Sequence, residues 1–217
     1  QDKFRNFLNN QDFKKAESLK VEYLKLAKEN LNNFSDDYTM VLHDISDLYK
    51  HLTKFNKAFD LYLQILDIYK QLNNEQEIAN TYNNLCWIGN GKASVDDEIT
   101  LNYCNKAITL QKKMHGENHE RLVEPFHNMG IYLMNQSKYF ESTKYIQKAL
   151  SLEISNNKRE DKLADIYHNL AVSYSWLGDF LNAEQFFLKS LKIKEKIYDQ
   201  KNIKLAITYS SLGVLYA

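Results

Sequence analysis

The chain has 217 residues, and its 28 basic and 28 acidic side chains leave no formal net charge at pH 7. A surface built for nucleic acid or an anionic membrane leaves a basic excess as its electrostatic footprint, and this composition carries none. Six glycines and one proline are too few for a turn-rich β architecture, while 44% hydrophobic and 13% aromatic content supports a continuous core.

No run approaches the roughly 18 consecutive apolar residues of a membrane span, and no signal-peptide pattern opens the chain. Gln1 falls within helix-patterned sequence and Ala217 within a repeat, which leads us to expect a piece of a longer protein. The two cysteines, Cys86 and Cys104, make no disulfide framework. Cys86 reads as a buried, inert thiol, and the expectation that follows is a reducing, cytoplasmic compartment.

Taken in chain order, one pattern returns. The first unit, residues 1–37, carries a small Ala16 and closes on Tyr23-Leu24. In residues 38–77 a large residue is followed at once by a small one, Ile45-Ser46. Tyr49 comes three positions on, then a turn at Lys54-Phe55, a small Ala58 and the closing pair Ile65-Leu66. Residues 78–119 repeat the scheme with Leu85-Cys86 and Ala107-Ile108, but Gly89 breaks the aromatic position and about two extra residues sit within Asn90 to Asp97. Such an insertion is cheap in a loop; it reads either as drift or as a local contact site.

Residues 120–161 carry Met129-Gly130, Leu133, Lys138-Tyr139, Ser142 and Ala149-Leu150. Residues 162–202 carry Leu170-Ala171, Tyr174, Gly178-Asp179-Phe180, Ala183 and Ser190-Leu191. A half repeat, 203–217, holds Leu212-Gly213 and stops, and its Ile207, Leu212 and Leu215 call for a cover. The large residues of the pairs are spaced 40, 44, 41 and 42 apart. Apolar spacing of three and four between them is helical. The large residue fills a helix–helix interface, and its small neighbour lets another helix approach. The fold expected is all-α: a single array, residues 1–217, of antiparallel A and B helix pairs, five repeats plus a terminal half.

The run Asn169 to Leu191, Asn-Leu-Ala-x-x-Tyr-x-x-x-Gly-x-Phe-x-x-Ala-x-x-x-Phe-x-x-Ser-Leu, resembles the tetratricopeptide repeat (TPR). The usual repeat is about 34 residues. The longer period here, with His115-Gly116-Glu117-Asn118-His119 before a new A helix, resembles the kinesin-light-chain type. The resemblance implies a right-handed α-solenoid (a TPR superhelix) whose A helices line a concave groove, and a protein or peptide as partner. It implies no cofactor.

On each A helix the residue before the large–small pair, with those four before and three after, projects into that groove. These positions hold Met40, Asp44 and Asp47; Asn80, Asn84 and Trp87; Glu124, Asn128 and Ile131; Asp165, Asn169 and Val172; then Ile207, Ser211 and Val214. Asn84, Asn128 and Asn169 form a ladder whose amides can pair with both polar groups of an extended peptide backbone. The alternative is that Asn is simply common in this chain. One position earlier lie His43, Asn83, His127 and His168, a polar lining. Helices stacked about 8–10 Å apart keep such a stripe from converging on one metal ion. Trp87 and Trp176 fall near the groove, as binding anchors or as core. With Asp44, Asp47, Glu124 and Asp165 present and Lys50 as the nearest counterweight, a neutral or partly basic segment is the expected occupant.

No zinc-protease, phosphate-loop or nucleophile-elbow motif occurs, so no catalytic or metal residue is assigned. Two function classes remain: a peptide-recognition module working through the groove, and a scaffold that self-associates or assembles through its open ends or convex face.

Overall fold

The computed structural model describes residues 2–156 and 159–217. Gln1, and Asn157 and Lys158 of the expected connection between the fourth and fifth repeats, lie outside the described residues. Among those described, every regular element is helical. The helices are α1 (Asp2–Asn9), α2 (Phe13–Asn30), α3 (Asp36–His51), α4 (Phe55–Gln71), α5 (Glu75–Gly89), α6 (Asp97–His115), α7 (Val123–Asn135), α8 (Tyr139–Asn156), α9 (Glu160–Trp176), α10 (Phe180–Ile197) and α11 (Ile203–Leu215), with a 3-10 turn at Glu120–Leu122. Odd-numbered helices are the A helices and even-numbered ones the B helices. The chain divides into two compact units, Gln1–Leu110 and Gln111–Ala217.

The connections are short because each is chemically specified. After an A helix the chain turns through one residue in the left-handed region: Gln11, Thr53, Ser137 or Gly178. The next N–H then reaches back to the last turn, as in Lys54 to the Tyr49 carbonyl (2.8 Å), Lys138 to Leu133 (2.9 Å) and Asp179 to Tyr174 (3.0 Å). This is the Schellman closure, and its acceptors are the aromatic or apolar residues that recur three positions after each small one. New helices start on side-chain caps: Ser35 Oγ accepts from the Tyr38 N–H (3.2 Å) and Asp179 Oδ1 from the Asn182 N–H (3.2 Å).

In the first unit the core is continuous across the hairpins, from Phe4 and Tyr23 through Leu42, Ile45 and Tyr62 to Leu85 and Ile88. In the second unit Leu170, Ala171, Ala183 and Phe187 are buried where α9 meets α10, and Leu212 of α11 joins them. Leu212 therefore needs no further cover, whereas Ile207 stays exposed.

The role of the small residue is explicit at Gly130. A β-carbon built there would overlap Ile146 Cγ1 on α8 and lie 3.2 Å from Cδ1 and 3.4 Å from the Ile146 nitrogen. Ser142, the small residue that opens the same B helix, donates its hydroxyl to the Gly130 carbonyl (2.8 Å). The hairpin thus closes with helix backbones in near contact.

One expectation is overturned. Cys86 and Cys104 form a disulfide, with Cα atoms 4.9 Å apart and both residues fully buried. The physical reason lies in the repeat register. Ile146 follows Ser142 by one turn on α8, and Cys104 follows the buried Thr100 by one turn on α6. The position opposite the small residue is thus Ile146 in one hairpin and Cys104 in the other. The two thiols are consequently a facing pair in the repeat with the inserted loop, and the ground for expecting a reducing, cytoplasmic compartment is gone.

Candidate binding face

In the second unit α7, α9 and α11 stand side by side, and the residues they offer fall into three classes. Some are buried. His127 is 4% exposed and Asn128 is 2% exposed. The Asn169 amide nitrogen lies 2.9 Å from His127 Nε2. This is a contact between neighbouring A helices, so the middle and last rungs of the asparagine ladder are committed to packing within the unit. Burial pushes the His127 imidazole down to about 3, and His168 down to about 4, with Lys194 acting in the same direction. Both rings are neutral at pH 7. His168 packs edge-on against Phe187 and lies 3.3 Å from Thr208 Oγ1.

The second class is charged, and here the sequence reading needs correcting. Glu124 receives Lys162 Nζ at 2.7 Å, with Arg159 at 3.9 Å. Asp165 receives Lys204 Nζ at 2.7 Å and the buried Lys194 at 3.7 Å. Both of these acids are paired with a lysine from the start of the next A helix. The first unit matches its acids differently: Arg5 Nε, from the preceding A helix, donates to Asp44 (2.8 Å), and Lys50 pairs with Asp47 one turn away on the same helix (2.5 Å). Lys50 is therefore one counterweight among several, and the acidic face inferred from sequence is neutralised internally. The linear sequence hides the second-unit pairs because their partners are 38 and 39 residues apart.

The third class is open and apolar. Val172, Ser175 and Trp176 of α9, Phe180 and Phe187 of α10, and Ser210, Ser211, Val214 and Leu215 of α11 line a pocket of about 640 Å3. Trp176 is 66% exposed and Val214 77% exposed. Trp176 is held in place by a parallel stack on Tyr139 of α8, with ring centroids 5.5 Å apart and planes 6° from parallel. Of the sequence-predicted residues, Val172 and Trp176 are brought together here, His168 and Asp165 are tied up about one and two turns before Val172, and Ile131 is half-buried on α7. Ser175, Phe180 and Ser210 were not singled out; a projection from the large–small pair alone misses residues at the end of α9, on α10 and beside Ser211.

In the first unit Asn80, Asn83, Asn84 and Trp87 are all half-buried on α5. Asn80 bonds to Glu77 (3.2 Å) and Gln76 (3.1 Å). Trp87 meets Phe55 edge-on, and the ammonium of Lys92 lies 4.3 Å from its ring centre. Its aromatic face is therefore covered by the chain's own cation. Among the described residues no cluster of three or more metal-type ligands forms, and no helix is long and apolar enough to cross a membrane.

Successive antiparallel helix pairs, closed through small residues, define a tetratricopeptide-type α-solenoid fold. Residues 162–217 match the tetratricopeptide repeat family model. A 129-residue stretch is 33% identical to the clustered mitochondria protein homolog of Brugia malayi, covering 58% of this chain and 9% of that protein. The chain thus matches only about a tenth of the length of that curated relative. Among solved structures, one described as a Podosopora anserina kinesin light chain with nearly identical TPR-like repeats aligns with TM-score 0.67 and 13% identity. It covers 93% of this chain and 95% of that one. NprR in complex with its cognate peptide NprX aligns with TM-score 0.70 and 15% identity, over 98% of this chain and 58% of that one. At these identities the structural likeness shows the fold, an all-α solenoid of TPR-like helix pairs.

Proposed function

We propose that this is a non-catalytic recognition module whose second unit holds an extended segment of a partner protein against α9 and α11. The observation that carries the reading is the 640 Å3 pocket behind the exposed Trp176. Its size lies within the range of about 300–1,000 Å3 typical of ligand sites, and exposed Trp is the residue type most enriched at binding hot spots. A fold neighbour, NprR, has been solved with a peptide bound, which supports the class of partner without specifying it. Asn80, Asn83, Asn84 and Trp87 are the corresponding candidates in the first unit. No nucleic acid, membrane or cofactor is part of the proposal.

The test is a random-peptide library panned against the wild-type protein and against a Trp176→Ala/Val214→Asp variant of matched helicity. Both positions are exposed, so the variant is expected to fold. Binders lost in the variant support the reading, and binders indifferent to it refute it.

A second reading, assembly through α11, has its own observation. A β-carbon on Gly213 would meet nothing within 4 Å. At the repeat-equivalent Ala171, α10 packs closely, and Tyr167 and Tyr174 beside it both stack on Phe186. Concentration-dependent oligomerisation that Tyr209→Glu abolishes would favour this reading.

A further inference from the structure

Resting on the peptide-binding reading, we infer that the pocket selects an electrically neutral segment with a large apolar anchor, and does so without charge steering. The side chains of the pocket wall are all uncharged: Val172, Trp176, Phe180, Phe187, Val214, Leu215 and Ala217 supply apolar surface, and Ser175, Ser210 and Ser211 supply hydroxyls. The acids on the surrounding face are already matched, Glu124 by Lys162 and Asp165 by Lys204, both at 2.7 Å.

A basic ligand side chain would therefore find Glu124 and Asp165 already occupied. It would have to displace a lysine held in a repeat-to-repeat ion pair while losing its own hydration. An acidic side chain fares no better, because Lys162 and Lys204 are engaged and the pocket offers an anion no cation. Burial also keeps His127 and His168 uncharged. An uncharged aromatic or branched aliphatic side chain, by contrast, gains burial against Trp176 and Phe180. Ser211 Oγ, which donates to the Ile207 carbonyl (2.9 Å), can still accept a peptide N–H, and the Ser175 and Ser210 hydroxyls can take up N–H or C=O, so the backbone beside the anchor has partners.

The experiment uses synthetic peptides from the library screen, each with its anchor position varied through Trp, Phe, Leu, Ser, Lys and Glu. Affinities are measured at about 0.1 M and about 1 M NaCl, where the screening length falls from about 10 Å to about 3 Å. The inference expects Trp, Phe or Leu to be preferred over Lys and Glu by at least about tenfold, the size of effect given by one well-buried apolar group. It expects affinity to change by less than about twofold with salt, because no long-range charge is being screened.

Preference for Lys or Glu, or a loss of about tenfold at high salt, would overturn the inference while leaving a peptide site intact if the Trp176→Ala/Val214→Asp variant still abolished binding. Absence of any variant-sensitive peptide would overturn both the inference and the reading beneath it.

Discussion

The same substitution at the same repeat position should act with opposite sign at Gly130 and Gly213. Replacing Gly by Ala in a helix interior stabilises by about 1 kcal/mol through propensity alone. At Gly213 nothing lies within 4 Å of the new methyl, so that gain survives, reduced because the residue lies in the last turn of α11. At Gly130 the methyl overlaps Ile146 Cγ1, which belongs to a fully buried side chain and cannot swing aside. Overpacking of this kind costs about 1–3 kcal/mol, which against the propensity gain of about 1 kcal/mol leaves Gly130→Ala a net loss of about 1 kcal/mol. The two variants should therefore differ by about 2 kcal/mol in urea unfolding followed by circular dichroism.

A double-mutant cycle with Ile146→Ala tests the cause. Ile146→Ala should cost less in the Gly130→Ala background than in the wild type, because the new methyl fills part of the space that Ile146 vacates. If Gly130→Ala is as stable as wild type, or the cycle shows no coupling, the claim that small residues set the hairpin spacing is wrong.

Reduction of the Cys86–Cys104 bond, whose partners are 18 residues apart, should destabilise the first unit by about 3 kcal/mol on chain-entropy grounds; unfolding with and without reductant checks it. Acid should destabilise the second unit. His127, held down to about 3 when folded, takes up its proton on unfolding below about pH 6.5, so stability is complete above that pH and is lost as pH falls toward 3. By pH 5 the loss from His127 is about 2 kcal/mol, with His168 acting in the same direction; His127→Gln should flatten that dependence. Thr53 adopts φ +56° as a β-branched residue, so Thr53→Gly should raise stability by about 1 kcal/mol in thermal or urea melts.

The helix pairs were legible because their signals are local. Three-and-four spacing marked each helix, and the large–small pair marked where it meets its neighbour. The left-handed turn was legible only at Gly178, because Gln11, Thr53 and Ser137 adopt the same conformation without the glycine that announces it. Within the binding face, Val172 and Trp176 were reachable by projecting along one helix. The burial of His127 and Asn128 was not, since it depends on what packs over α7.

By itself, then, the sequence determined the class of fold, the period of the array and the helix faces that must be buried, since each follows from side-chain spacing within about one repeat. Only the tertiary structure decided which charges remain available, which cysteines face one another and where an open pocket lies. Those outcomes depend on pairings such as Glu124 with Lys162 and Asp165 with Lys204, 38 and 39 residues apart. Whether a carboxylate is bare or satisfied is set by the neighbouring helix, and no pattern along a single helix contains that neighbour.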